Sequence, residues 1–182
     1  MKKTLLKGIL LLTAIVLISA ACNKDEEEKI VLDFDITVPE SWLVVKLNQD
    51  NMVYYAQSPP ESSLDSIRED ILITKEAIGS ASLIAYYDAV IDALEADETF
   101  ELLSATDTTI NGEESQKFIH LQTVYSVNSY TRDTVDLSAK MIKYVFAHNS
   151  SGYVISCNAL QSSFDRYEPV YDTIIKSFKF KN

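Results

Sequence analysis

Few residues of this sequence have the types and spacing that catalysis requires. Its 182 residues include two cysteines, Cys22 and Cys157, and two histidines, His120 and His148. The sequence has no nucleophile elbow, zinc-protease helix motif, redox cysteine pair or phosphate-binding glycine loop. Cys157 lies in the alternating stretch YVISCNA (153–159), which predicts a buried thiol. No catalytic residue, metal ligand or cofactor is therefore predicted.

Cys22 has the clearest chemical context in the chain. Lys2, Lys3 and Lys7 accompany an apolar run of 14 residues (8–21). This run is shorter than the ~20 residues that a transmembrane helix needs, and it is typical of a signal peptide. The Ser-Ala-Ala-Cys sequence resembles the lipobox of bacterial lipoproteins, although serine stands where that family prefers leucine. The resemblance implies cleavage after residue 21 and acylation of Cys22 by chains such as palmitate, and two or more chains would anchor it stably.

The residues that follow the cysteine, 22–29, form a predicted acidic tether. Lys-Asp-Glu-Glu-Glu at 24–28 resembles the surface-export signal of lipoproteins in some Gram-negative bacteria, and such charge runs are also typical of solvated, disordered segments. The expected location is the outer membrane, lipid-anchored, at the cell surface or on the periplasmic face. The alternative is an ordinary secreted protein in which Cys22 is incidental.

Residues 30–182 are long enough for a single domain with a sizeable core. The full chain has a formal net charge of −11. Removing the leader would remove three lysines and no acid, which leaves 13 basic and 27 acidic residues, a net charge of −14. A chain of this charge repels phosphate backbones, so nucleic-acid binding is excluded as a function.

Hydrophobic periodicity predicts an α+β fold with a mostly antiparallel sheet and helices packed on its faces, because the helices are few and do not alternate with strands. Asn111-Gly112 predicts a tight hairpin, and residues 149–152 predict a second one. A helix is expected to begin after Ser80 or Ser82, and another near Pro169. The predicted strands are 30–38, 42–47, 52–57, 70–77, 100–110, 115–125, 137–147, 153–160 and 177–181, with a polar loop at 126–136.

Two segments resemble PsbP-like and DcrB-like domains. The stretch FDITVPESW (34–42) is similar to their opening pattern F-x-I-x-x-P-x-x-W. The stretch YDTIIKSF (171–178) is similar to their closing helix and final strand. The resemblance covers most of residues 30–182 and implies an antiparallel sheet with helices on its faces and a binding or assembly role. The family has no common catalytic residues, so none are assigned here.

Adjacent tyrosines at 54–55 and 86–87 predict that one member of each pair faces outward. Tyr86 is expected to be exposed on its helix. With Tyr54 and Tyr55 it forms a candidate surface for a ligand or a partner, although packing in the core or at a sheet edge competes with this interpretation.

Four segments of the form Asp-Ser/Thr followed by a small or aliphatic residue resemble the O-glycosylation motif of envelope proteins in bacteria that use the acidic export signal. About one such match is expected by chance. The candidate acceptors are Ser66, Thr108, Thr134 and Thr173. Ser66 and Thr134 are expected in loops, whereas Thr173 is expected in a helix, where it is less available.

The leading functional hypothesis is a non-enzymatic, lipid-anchored envelope protein that binds a protein partner or acts as an accessory subunit. The second is a small-ligand or glycan-binding surface lipoprotein that uses exposed tyrosines. The third is a hydrolase with a pair of carboxylates, which two facing carboxyl groups of widely separated pKa would support.

Overall fold

The structure is a computed structural model that describes residues 31–47, 51–61, 67–127 and 134–181. The leader, Cys22 and Ser66 lie outside the described residues. The elements are β1 (Phe34–Asp35), β2 (Leu43–Val45), β3 (Met52–Gln57), β4 (Asp70–Ala77), α1 (Leu83–Glu95), β5 (Glu101–Ile110), β6 (Glu113–Val127), β7 (Thr134–His148), β8 (Ser151–Leu160), α2 (Phe164–Ser177) and β9 (Lys179–Phe180).

Seven strands form one antiparallel sheet in the order β2-β3-β4-β8-β7-β6-β5, and β1 pairs with β9 in a separate two-stranded ribbon. Helix α1 packs on one face of the large sheet and α2 on the other. The α+β class and the mostly antiparallel sheet predicted from periodicity are therefore confirmed. Within the described ranges, neither helix is long and apolar enough to cross a membrane.

Both predicted hairpins are present. Asn111 and Gly112 have φ values of 50° and 92°, the left-handed conformation that an Asn-Gly turn supplies. The second hairpin turns at Asn149 and Ser150, with φ values of 50° and 61°. Strand β8 consequently begins at Ser151, two residues earlier than predicted.

The larger core lies between the sheet and α2. Alternate residues of β8 from Tyr153 to Ala159 face this core and are at most 2% exposed. Cys157 is among them and is fully buried, as its position in the alternating stretch predicts. The facing side of α2 contributes Phe164, Tyr171, Ile174 and Ile175, and the chain ends contribute Phe34, Trp42, Phe178 and Phe180.

The prediction that the last helix begins near Pro169 is wrong. Helix α2 begins at Phe164, and Pro169 lies inside it. The proline removes one backbone N–H donor from the helix. The Phe164 ring is 0% exposed. Its burial holds the turn before Pro169 against the core, and this stabilisation outweighs the loss of the proline's hydrogen bond.

The face opposite α2 carries a smaller core under α1. Ser82 caps the helix, as expected, because its hydroxyl accepts from the N–H of Ala85 at 3.2 Å. Tyr86 projects from α1 onto the sheet and packs with Phe118 and other side chains of that face. The remaining members of this cluster are Val145 and Val154, flanked by Ile78, Leu83, Tyr87, Val90, Ile91, Leu94 and Phe100.

Several predicted boundaries differ from the structure: the strand predicted over 42–47 is Leu43–Val45, and the one predicted over 177–181 is Lys179–Phe180, because Ser177 ends α2. Of the strand predicted over 30–38, only Phe34–Asp35 is a strand among the described residues, because only these two pair with β9. The polar loop predicted over 126–136 is shorter, since β6 continues to Val127 and β7 begins at Thr134. The two strands remain paired in register up to these residues.

Candidate binding surface

Helix α1 covers only one end of its sheet face. Its contacts are with β6 and β7, around Phe118 and Val145. At the other end of the face, residues of all seven strands lie directly opposite one another in a single transverse line, which we call the polar row. Its members, read across the sheet, are Leu43, Gln57, Asp70, Asn158, Met141, His120 and Leu102.

The next line of the same face lies between the polar row and α1. It contains Tyr55, Leu72, Ser156 and Lys143 in directly opposed positions, followed by Phe118 under the helix. Directly opposed side chains in a sheet have Cβ atoms about 4.5–5.5 Å apart. The two lines therefore form a continuous patch in which polar side chains of β4, β7 and β8 are neighbours.

Asp70 and Asn158 are paired at the centre of the polar row. The Asn158 Nδ2 donates to Asp70 Oδ1 at 2.6 Å. Burial raises the pKa of Asp70 to about 7, against smaller opposing effects of the Asn158 hydrogen bond and the Lys143 charge. The Oδ1 atom of Asn158 is buried and has no hydrogen-bond partner among the described residues. A buried amide oxygen without a partner is unfavourable, so a further hydrogen-bond donor at this position would be stabilising.

Lys143 supplies the positive charge of the patch. Its Nζ donates to Ser156 Oγ at 2.7 Å. Burial lowers the pKa of Lys143 to about 8, and the charge of Asp70 opposes this shift. Lys143 and Asp70 are not among the ion pairs of the described residues, because β8 separates their strands. The ammonium group has three donors, so it retains capacity for an additional acceptor.

His120 lies on the side of the row nearest to β5. Its ring is fully buried, with its centroid 4.9 Å from that of Phe100 and 5.7 Å from that of Phe118. Neither ring nitrogen has a hydrogen-bond partner among the described residues. Burial, with a smaller contribution from the Lys143 charge, lowers the pKa of His120 to about 4, so the imidazole is neutral at pH 7.

The patch combines hydrogen-bond donors with acceptors. The described residues include no group of three or more histidine, cysteine or acidic side chains placed to hold a metal ion. Lys143 offers donors, whereas Asp70 and Asn158 offer acceptors, so the patch matches a group that both donates and accepts hydrogen bonds. Leu43 and Leu102, at the two ends of the row, are 55% and 41% exposed.

The structure changes the interpretation of the tyrosines. Tyr86 is only 5% exposed, so the prediction that it faces outward is wrong: its ring covers the sheet next to Gly152. Tyr54 is also buried, at 4%, and its ring lies edge-on to Phe34 in the larger core. Tyr55, its neighbour, is half-buried on the α1 face beside Leu72. Of the three candidates, only Tyr55 belongs to the patch.

The candidate glycosylation acceptors are dispersed. Thr108 lies within β5, and Thr134 is the exposed first residue of β7 rather than a loop residue. Thr173 lies in α2, as expected, and its hydroxyl donates to the Pro169 carbonyl at 2.9 Å. These residues remain predicted acceptors, as does Ser66.

Two clefts lie away from the patch. One, of about 390 Å³, is at the start of α2 and includes Glu69, whose buried carboxylate accepts from Ser58 at 2.9 Å and Ser163 at 2.8 Å. Because both of its oxygens are already bonded, Glu69 is a structural group. The other, of about 580 Å³, is a mostly apolar groove between residues 37–39 and α2.

Comparison with known proteins identifies the class of fold. No family model matches the sequence, and no curated protein matches it significantly. The solved structures do show similar folds. A protein of unknown function from Pseudomonas aeruginosa, PA94, described as a putative regulator, superposes with a TM-score of 0.58 at 11% identity, covering 78% of this chain and 98% of its own.

Two other structures have the same architecture. LpqN, involved in cell envelope biogenesis of Mycobacterium tuberculosis, has a TM-score of 0.57 at 11% identity and covers 82% of this chain and 83% of its own. Cyanobacterial PsbP (CyanoP) from Synechocystis has a TM-score of 0.51 at 14% identity, covering 88% of this chain and 98% of its own. The chain therefore has a PsbP-like α+β fold, as the resemblance of its opening and closing segments implies.

Proposed function

We propose that this chain is a non-enzymatic protein of the bacterial cell envelope that is lipid-anchored through Cys22 and binds a protein partner as an accessory subunit. The observation that carries the proposal is the end of the sheet face that α1 does not cover. Among the described residues, buried polar atoms of Asn158 and His120 have no hydrogen-bond partner there, and exposed leucines lie at the two ends of the polar row. A protein surface can supply both the missing hydrogen bonds and the apolar contacts.

The envelope location is supported by the signal peptide and lipobox pattern, and the PsbP-like fold is shared with an envelope-biogenesis protein. The proposed location is the outer membrane, at the cell surface or on its periplasmic face, and the exposed Thr134 is a proposed acceptor of O-glycosylation. Cys22→Ser is expected to release the protein from the membrane fraction. Retention of this variant in membranes would contradict the lipid anchor.

The test of partner binding is affinity capture from gently crosslinked cells. We expect wild-type protein to recover a reproducible partner, and the double variant Leu43→Asp/Leu102→Asp to lose it. Ile84→Asp is the matched control, because Ile84 is 54% exposed but lies on α1, outside the patch. Capture that is equal for all three proteins, or no reproducible partner at all, would refute the proposed function.

A second candidate function is binding of a small polar ligand or glycan. Tyr55 favours it, because its half-buried ring lies on the same face as Asp70, whose charge acts on the Tyr55 hydroxyl. Aromatic rings beside carboxylate and amide groups suit sugars, because a sugar ring stacks on an aromatic side chain and its hydroxyl groups both donate and accept hydrogen bonds. Glycan binding that is lost in Tyr55→Ala and retained in Tyr125→Ala, where Tyr125 is 62% exposed elsewhere, would favour this function.

A further inference from the structure

The outer edge of β5 is unpaired in the part of the chain that the structure describes. Strand β5 has ten residues and is bonded only to β6. Within the β5–β6 hairpin, Ile110 and Glu113 flank a two-residue turn and therefore exchange hydrogen bonds with each other. By alternation, the N–H and C=O groups of Ala105, Asp107 and Thr109 point away from the sheet. These three residues offer six unpaired backbone groups.

This edge lacks most of the devices that prevent strand addition. Natural sheets protect their edges with short strands, lysines, prolines or bulges. The opposite edge of the sheet, β2, has only three residues. Strand β5 contains no lysine or proline, and its single bulge, between Leu102 and Ser104, leaves the regular stretch 104–110 open.

The same part of the chain is uniformly acidic. Residues 76–116, which span α1 and β5, contain ten Asp and Glu residues and no Lys, Arg or His. Only one ion pair within the described ranges involves them, between Glu113 and His148. The acids of α1 and β5 are exposed: Asp88, Asp92, Glu95, Glu101 and Asp107.

We propose that the β5 edge binds an extended, lysine- or arginine-rich segment of another protein, which adds an eighth strand to the sheet. The inference rests on the proposed protein-binding function and identifies the chemistry of the partner. Backbone hydrogen bonds to residues 105, 107 and 109 provide the pairing, and the acids of α1 and β5 select a basic strand. A second copy of this chain does not fit, because it brings the same negative charges to the same edge.

The test uses the full chain in detergent and a ten-residue probe peptide in which lysine alternates with threonine. We expect the probe to shift the amide NMR signals of residues 105–109, with affinity that falls as salt is raised from 50 to 500 mM. A peptide with glutamate in place of lysine, and a lysine peptide with alternate N-methylated amides, are each expected to bind about tenfold more weakly.

Two protein variants separate pairing from simple charge attraction. The variant Ala105→Pro/Thr109→Pro removes two outward N–H groups and leaves the hydrogen bonds between β5 and β6 in place. It is expected to weaken probe binding about tenfold and to preserve the circular dichroism spectrum. Asp107→Lys is expected to weaken it similarly, whereas Asp172→Lys, an exposed α2 acid, is the matched control that leaves binding unchanged.

The outcomes distinguish this inference from the proposed function. Equal binding of the N-methylated peptide, binding of the glutamate peptide, or self-association of the chain through β5 would overturn strand addition by a basic partner. If the cellular partner is captured by the proline variant as well as by wild type, the edge proposal fails while the partner-binding function stands.

Discussion

Gly152 lies on β8 directly against the ring of Tyr86 from α1. A Cβ atom built on Gly152 would lie 2.4 Å from Cζ and 2.5 Å from Cε1 of Tyr86, and 2.8 Å from Cγ2 of Ile78. Carbon atoms in contact are normally about 3.5–4.0 Å apart. The variant Gly152→Ala therefore requires the Tyr86 ring to move by about 1 Å or more, since the present separations are that much shorter than a normal contact.

The expected loss of stability follows from two opposing effects. Inserting a methyl group into a packed site costs about 1–3 kcal/mol. Replacing glycine with alanine lowers the conformational entropy of the unfolded chain, which stabilises the folded state by about 0.4–1 kcal/mol. The net loss is about 1–2 kcal/mol, and a domain of this size loses roughly 2–4 °C in Tm per kcal/mol, so a fall of about 2–8 °C is expected.

A double-mutant cycle tests the mechanism by urea and thermal unfolding. In a Tyr86→Ala background the ring is absent, so adding the Gly152→Ala methyl group is expected to cost at least about 1 kcal/mol less than in wild type. Equal losses of stability in the two backgrounds would refute the reasoning, because they would show that the Tyr86 ring does not limit the space at Gly152.

Three further predictions concern single side chains. Because the pKa of Asp70 is raised to about 7 from its ordinary 3.8, its ionisation lowers the free energy of unfolding as the pH rises from about 4 to 7. Asp70→Asn should abolish this loss of stability, and a pH profile of urea unfolding that is the same in the variant and in wild type would contradict the prediction. Asn111→Ala loses two hydrogen bonds to the Lys176 and Phe178 carbonyls (2.9 and 2.7 Å) and places alanine at φ 50°, so it should lower the free energy of unfolding by about 2–3 kcal/mol. Asn111→Gly should lower it less, and equal losses for the two variants would exclude backbone strain as a cause. Burial raises the pKa of the Cys157 thiol, so its reaction with a disulfide reagent should accelerate in proportion to unfolding by urea; fast labelling of the native protein would contradict its burial.

Local signals predicted several elements well. Strands β3 and β4 have the predicted bounds, Met52–Gln57 and Asp70–Ala77, because alternation and turn residues define them within a few positions. The Asn111-Gly112 hairpin was predictable because a two-residue turn fixes the register of its two strands. The α2 boundary was not, since the burial of Phe164 depends on a core assembled from distant parts of the chain.

The candidate surface was predictable only in part. Alternation in β8 assigns Cys157 to one face and therefore Ser156 and Asn158 to the other, and two polar residues in a buried strand were an available signal. Their neighbours on β7 follow from the predicted hairpin at 149–152, but their neighbours on β4 were not available, because β4 pairs with β8 only through long-range contacts. Tyr86 was misassigned for a related reason: the glycine that receives its ring is 66 positions away in the sequence.

The positions of the anchor and the polar row are related through β4. The Asp33 carboxylate accepts from Lys75 and Tyr153, both at 2.5 Å, and fixes the start of the domain at one end of this strand. Asp70 lies at the other end, about 17 Å away at the usual rise per strand residue. If Cys22 anchors the chain as proposed, we expect the polar row to lie farther from the bilayer than Asp33 does. A bilayer-restricted quencher that reached the exposed Leu43 as readily as the exposed Val31 would contradict this expectation.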